Sequence, residues 1–271
     1  MSTGSSVSAG SWRRISEGDP RRVILAVDFG STARSEADFR QFAQLVKPSR
    51  EIWQSVQPDT AERELLSAET YLRWWRELPE GVDGQVDTVM GYCVGGVFAS
   101  VLADEIAEKQ GTRPALLLFD PEPVDQLSLY RDFKKAVDGM SLLSEEERAG
   151  HAAEVRTLCE AESNDAHAVC TRVIKVYETA VGVVFDRLGL DDEASEDLRG
   201  LFRSYVSYLF AARQLSPEEG WAAAGALTSA QSSPGAAHAR WEKSFPISTG
   251  ELLSNQEVAE AAHRFLQERG A

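Results

Sequence analysis

No stretch of this sequence approaches the run of about 18 apolar residues that marks a membrane-spanning helix. Positive charge is scarce: 28 Lys and Arg stand against 43 Asp and Glu, a formal net charge of −15. Clustered cations release counterions from a phosphate backbone, so their shortage argues against nucleic acid as a partner and against an anionic membrane surface. Cysteine is sparse as well. Cys93, Cys159 and Cys170 make an odd count, at spacings of neither a zinc knuckle nor a disulfide framework, which suggests a reducing, cytoplasmic setting. There is no histidine pair at metal-ligand spacing, no P-loop, and no G-x-G-x-x-G after the first strand, so neither a metal nor another cofactor is implied. The segment Met1 to Gly18 is rich in Ser and Gly and lacks the apolar core of a secretory signal. Residues 1–20 therefore read as a disordered tail, and 21–271 as the folded domain.

What is present is an ordinary globular balance, 43% hydrophobic and 26% charged, over 271 residues. That length suits a single large α/β sheet. Arg22 to Gly30 begins as an apolar β-branched run and ends in a turn, as a buried parallel strand does. Ser35 and Asp38 open a helix bearing Phe39, Phe42, Leu45 and Val46 on one face. Ile52 to Val56 predicts a second strand, Thr60 to Leu78 a long amphipathic helix, and Asp87 to Tyr92 a third strand with a helix behind it reaching Gly111. Ala115 to Asp120 is a short apolar fourth strand stopped by Pro121 and Pro123. Strands alternating with helices imply βαβ units and a mainly parallel sheet.

From Val124 to Arg213 the pattern is helical throughout, with Ser144 and Glu147 as one capping pair. An insertion of this kind, at about 124–213, reads as a helical lid, with a purely structural helical subdomain as the alternative. The strand pattern resumes at Ala222 to Ala230 and at Phe245 to Ser248, and Ser254 with Glu257 opens a last helix.

The turn Gly91-Tyr92-Cys93-Val94-Gly95-Gly96 falls between the third strand and its helix. A nucleophile elbow needs small neighbours because the turn is tight and the helix packs closely on the sheet. Cys93 is the candidate nucleophile, and the Val94 N–H the candidate oxyanion donor. The helix N-terminus favours an anion there and should promote the thiolate. The bland alternative is a structural cysteine beside a glycine-rich turn. Cys159 and Cys170 lack the elbow context and read as packing residues.

Gly91 to Ala99 resembles the G-x-S-x-G-G elbow and following helix of the α/β-hydrolase-fold thioesterases of nonribosomal-peptide and polyketide assembly lines, both the stand-alone and the terminal kinds. The similarity runs from about Arg22 to Leu266 in the order of elements. It implies an α/β-hydrolase fold with a helical lid, and an acyl group carried on Cys93. Leu116 to Asp120 is similar to the strand that ends in the family's catalytic aspartate, which gives Asp120 that role. Gly30 lies where the family places its second oxyanion donor. The implied partners are an acyl or peptidyl carrier protein or an acyl-CoA, with a small-molecule acceptor. Arg131, Lys134 and Lys135 are the basic residues that could meet an acidic carrier, or else a solvated helix face.

Two departures from that pattern bear on the chemistry. The usual serine is Cys93, a stronger nucleophile that exchanges thioesters at little thermodynamic cost. The family's histidine should follow the last strand, where the chain instead reads Phe245 to Leu253 with Ser248 and Thr249 in its place. His151 and His167 fall in the lid and His263 in the last helix; His238 is the weak remaining candidate for a base. Without a base, water is poorly activated, and transfer of the acyl group to an amine or thiol competes with hydrolysis. Two rival readings stand beside this one: a non-catalytic binding or scaffold protein on the same fold, and a cysteine-dependent ester or lactone hydrolase.

Overall fold

The computed structural model describes residues 8–30, 36–59, 64–78, 82, 84–125, 127–161, 165–190, 192–231 and 233–268. It divides into two compact units, one comprising Met1–Pro58, Glu69–Pro123 and Leu215–Ala271, the other Asp59–Ala68 and Val124–Gln214.

The first unit is built on an eight-stranded sheet, β1 (Ser8–Ala9), β2 (Trp12–Ser16), β3 (Arg22–Val27), β4 (Glu51–Ser55), β5 (Gln85–Tyr92), β6 (Ala115–Phe119), β7 (Gly225–Thr228) and β8 (Trp241–Ser244). Their order is β1-β2-β4-β3-β5-β6-β7-β8. The six strands from β4 to β8 run parallel, while β1 and β2 join antiparallel at the β4 edge. The β3 and β6 sequences are almost wholly apolar because both faces of each strand are covered, by helices on either side. On one face α3 (Gly95–Gln110) and α2 (Ala68–Trp75) bring Phe98, Tyr71 and Trp75 together. On the other, α1 (Phe39–Leu45) and α9 (Gln256–Glu268) bury Phe39, Phe42, Val258 and Phe265 against Ile24, Met90 and Phe119.

The tail expected over residues 1–20 is instead ordered from residue 8 onward. Trp12 is 0% exposed and its indole N–H donates to the Trp75 carbonyl at 3.1 Å, while β2 pairs with β4 from Trp12↔Ser55 onward. Burial of one large aromatic side chain and the need of β4 for a hydrogen-bonding neighbour outweigh a Ser- and Gly-rich composition. Residues 1–7 lie outside the described set.

Several boundaries also move. Asp38, not Ser35, caps α1, in a reciprocal capping box with Gln41; Ser35 lies outside the described residues. Of the amphipathic helix expected over Thr60–Leu78, the described residues are helical at Ala68–Trp75 and irregular at 64–67, with Leu66 N–H donating to Ser207 Oγ at 2.9 Å; residues 60–63 lie outside the described set. The last strand is Trp241–Ser244 rather than Phe245–Ser248, because Pro246 has no N–H for a ladder and a sheet-edge strand needs no apolar run. Asn255, rather than Ser254, accepts the N–H groups of Glu257 and Val258 at the start of α9. The short helix α8 (Glu218–Trp221) ends before β7, so Ala222 to Ala224 are not part of that strand.

The second unit is helical: α4 (Ser128–Asp138), α5 (Glu145–Glu160), α6 (Ala166–Leu188) and α7 (Asp192–Ala212). Its core centres on Phe133, Tyr177 and Phe202, with the last two rings stacked at 3.7 Å. Ser144 and Glu147 form the capping box read from sequence.

Candidate active site

Two non-glycine residues have positive φ among the described residues, Cys93 at 51° and Asp120 at 43°. Each follows the carboxyl end of a strand, and the strands are neighbours: Tyr92 of β5 pairs in register with Phe119 of β6. A left-handed conformation at a side-chain-bearing residue costs on the order of 1–3 kcal/mol and persists only where the surroundings enforce it. Here the enforcement is visible. Cys93 N–H donates to the Phe119 carbonyl at 2.8 Å, Asp120 N–H to Leu227 O at 3.1 Å, and Gly96 N–H to Cys93 O at 3.0 Å.

The glycines make the elbow's packing feasible. A Cβ on Gly91 would sit 2.5 Å from Gly96 Cα, and one on Gly95 would sit 2.2 Å from the Val27 carbonyl oxygen. Trp221 locks the helix start from the other side by donating its indole N–H to Gly96 O at 2.9 Å. The approach of Gly95 to Val27 brings the ends of β3 and β5 together. After β3, Asp28 is buried and held on both sides: its N–H donates to Ser55 Oγ at 3.1 Å, and its carbonyl accepts from Ser55 Oγ at 3.1 Å and Gln57 Nε2 at 2.9 Å. Gly30 follows, exposed, beside the Gln54 amide. The N–H groups of Gly30 and Val94 have no backbone acceptor among the described residues.

Asp120 is 7% exposed. Its Oδ1 accepts the Ser229 N–H at 2.7 Å, while Oδ2 is buried without a well-formed hydrogen bond. Burial pushes this carboxyl above the usual carboxylate range, and Glu122 adds to the rise; the N–H and hydroxyl of Ser229 and the hydroxyl of Thr249 act in the opposite sense. Thr249 opens the short 3-10 helix Thr249–Ser254 that follows the last strand. Its Oγ1 lies 2.9 Å from Ser229 Oγ and 2.9 Å from Gln231 Oε1, and its carbonyl accepts from Tyr92 Oη at 3.4 Å. A threonine hydroxyl thus stands near the carboxyl where the resemblance leads one to expect a histidine.

None of the four histidines hydrogen-bonds to Cys93 or Asp120. His238 sits exposed on the turn Pro234–His238 with its ring 6.3 Å from that of Trp221. His263 lies on α9, its pKa lowered by burial and by Arg50 and Arg264. His151 and His167 are on α5 and α6.

Among the described residues, the Cys93 thiol donates toward Glu122, with Oε2 3.7 Å from Sγ. Sequence reading passed over it, although an acid between two prolines just past a strand's carboxyl end stands where α/β sheets place their chemistry. Cys159 and Cys170 are buried in the helical unit, and burial raises both thiols, Cys170 to about 12. Arg131 and Lys134 form ion pairs with Asp125 and Asp138 of their own unit. Trp75 is core and Trp74 is 39% exposed; both indole N–H groups donate to Val56 O. Among the described residues no group of side chains is arranged to hold a metal ion, and no helix is long and apolar enough to cross a membrane.

A mainly parallel sheet with a strained strand-to-helix turn, an acid after the next strand and helices on both faces defines an α/β-hydrolase fold. Solved structures share this fold. The chain superposes on the Vlm2 thioesterase domain bearing a genetically encoded 2,3-diaminopropionic acid and a dodecadepsipeptide, with a TM-score of 0.55 and 17% identity over 94% of this chain and 97% of that one. It also matches a four-domain nonribosomal peptide synthetase bound to AMP and glycine, at a TM-score of 0.56 and 14% identity, over 98% of this chain and 20% of that one. A hydrolase from Oleispira antarctica matches at a TM-score of 0.51 and 14% identity, over 96% and 95% of the two chains. No protein-family model and no curated protein sequence matches the chain.

Proposed function

We propose that this protein is a thioesterase-like acyl-transfer enzyme of nonribosomal-peptide or polyketide biosynthesis. In this reading Cys93 takes an acyl group from a carrier-protein or coenzyme A thioester. The observation that carries it is Cys93 held at φ 51° on the elbow between β5 and α3, beside Asp120 at φ 43°. Sγ attacks the thioester carbonyl, and the Val94 and Gly30 N–H groups receive the developing oxyanion. Asp120 fixes the end of β7 through Ser229.

Release is by transfer to an amine or thiol, or by slow hydrolysis. A thioester is already activated toward such nucleophiles, whereas water needs a base that contributes about 10²–10⁴-fold. The test is intact-protein mass spectrometry after mixing with a panel of acyl thioesters, with Cys93→Ala as control. A persistent adduct, absent from the control and discharged by an added amine or thiol, is the expected result. Rapid turnover of oxygen esters in preference to thioesters would instead identify an ester or lactone hydrolase.

One observation favours a second, non-catalytic reading: no histidine bonds to Cys93 or Asp120. On that reading the protein binds a synthase component without turnover, and neither adduct nor product forms with any substrate in the panel.

A further inference from the structure

We propose that Glu122 is the proton carrier of this site, taking the Cys93 proton as Sγ attacks a thioester and delivering it to the departing thiol. The inference rests on Cys93 being the nucleophile.

Two observations carry it. Glu122 Oε2 stands 3.7 Å from Sγ, within hydrogen-bonding reach of a thiol, in a site where no histidine bonds to the sulfur. The segment bearing it is also clamped to the elbow. Glu122 N–H donates to Cys93 O at 3.4 Å, and the Pro121 carbonyl accepts both Gly235 N–H at 3.0 Å and Ser233 Oγ at 2.8 Å. Pro121 and Pro123 on either side fix two φ angles, so the carboxylate searches little space beyond its own rotamers.

The step balances without any further reagent. The Sγ–C bond forms as the thiol proton passes to Glu122; the tetrahedral intermediate then collapses, the C–S bond to the carrier breaks, and the leaving sulfur takes its proton from Glu122. The net change is thiol plus thioester to acyl-Cys93 plus free carrier thiol. Deacylation runs the same way. The acceptor's proton passes to Glu122, the acceptor–carbon bond forms, the C–Sγ bond breaks, and Sγ is reprotonated.

A purely structural carboxylate and a proton carrier predict different responses to Glu122→Gln. Acylation of Cys93 by an N-acetylcysteamine thioester needs the carrier and should slow by about 10²-fold or more. Alkylation by iodoacetamide needs only the thiolate, and removing a neighbouring negative charge increases the thiolate fraction, so Cys93 labelling should speed up. Opposite movement of the two rates, read by intact mass and peptide mapping, with partial recovery of acylation in Glu122→Asp, is the expected result. An acylation rate within about 3-fold of native, or a parallel fall in both rates, would overturn the proposal, since general acid–base assistance is worth far more than that. If the native protein itself forms no thioester adduct while iodoacetamide labels Cys93, the acyl-enzyme reading has failed, and the role of Glu122 falls with it.

Discussion

Ser229 hands its backbone N–H to Asp120 Oδ1 at 2.7 Å, while Asp120 Oδ2 remains buried and poorly satisfied. The carboxylate therefore has one good donor and a desolvation cost, and its folded-state pKa is raised. For an acid, a raised folded pKa means that ionisation opposes folding. The cost is full at pH 7, declines as pH falls through the folded pKa, and is gone below the ordinary carboxylate value. Asp120→Asn keeps the Oδ1 acceptor and offers an N–H toward the Ser229 and Thr249 hydroxyls. Thermal melts should show the variant more stable at pH 7, with Tm raised by about 2–4 °C for each kcal/mol relieved, and the gain should shrink toward zero near pH 3. A gain that grows with acidity would contradict the assignment.

Two glycines should respond to alanine in opposite directions. Gly95 faces the Val27 carbonyl oxygen so closely that a methyl group forces the helix off the sheet, and Gly95→Ala should lose about 1–3 kcal/mol or more. Gly150 lies within α5 with open space around it, and Gly150→Ala should gain about 0.5–1 kcal/mol. Denaturant unfolding of the pair separates packing at the elbow from helix propensity alone.

Trp12 tests the N-terminal strand. Trp12→Ala removes a fully buried indole and its bond to Trp75 O, and should cost about 3–5 kcal/mol in urea unfolding. A loss under about 1 kcal/mol, within the usual range of surface changes, would show that β2 contributes little to the sheet.

The three thiols should differ sharply in reactivity. Iodoacetamide at pH 7.5 on the native protein should label Cys93, which is partly exposed, and spare Cys159 and Cys170, which are buried and shifted upward. Peptide mapping before and after denaturation reads this directly.

Thr249→His would supply the imidazole that the resemblance leads one to expect, next to Ser229 and the Asp120 carboxyl. If the acyl-enzyme reading holds, the variant should shorten the lifetime of the Cys93 adduct in water, in the direction of the about 10²–10⁴-fold that a placed base contributes. An unchanged adduct lifetime would mean that the vacated position cannot reach the acyl carbon.

The parallel core of the sheet was legible because buried strands such as Leu25 to Val27 and Leu116 to Phe119 carry their burial on both faces as unbroken apolar runs. The elbow was legible because close helix-to-sheet packing demands glycine at fixed offsets, and Gly91, Gly95 and Gly96 supply it. Edge elements were harder. Trp241-Glu242-Lys243-Ser244 has no apolar run because three of its four side chains face solvent, and β2 sits within a composition typical of tails. Glu122 carries no periodic signature at all. Its meeting with Cys93 depends on the chain turning back after β6, a long-range event that local pattern does not record.

The covering of β4 by β2 has a practical side. Trimming the chain back to Arg22, where the apolar pattern first declares itself, would strip β4 of one neighbour and bare a row of backbone donors and acceptors alongside Ile52 and Trp53. Such an open rim invites the same strand from other copies, so the shortened protein should gather into sedimenting aggregates where the longer one stays in solution.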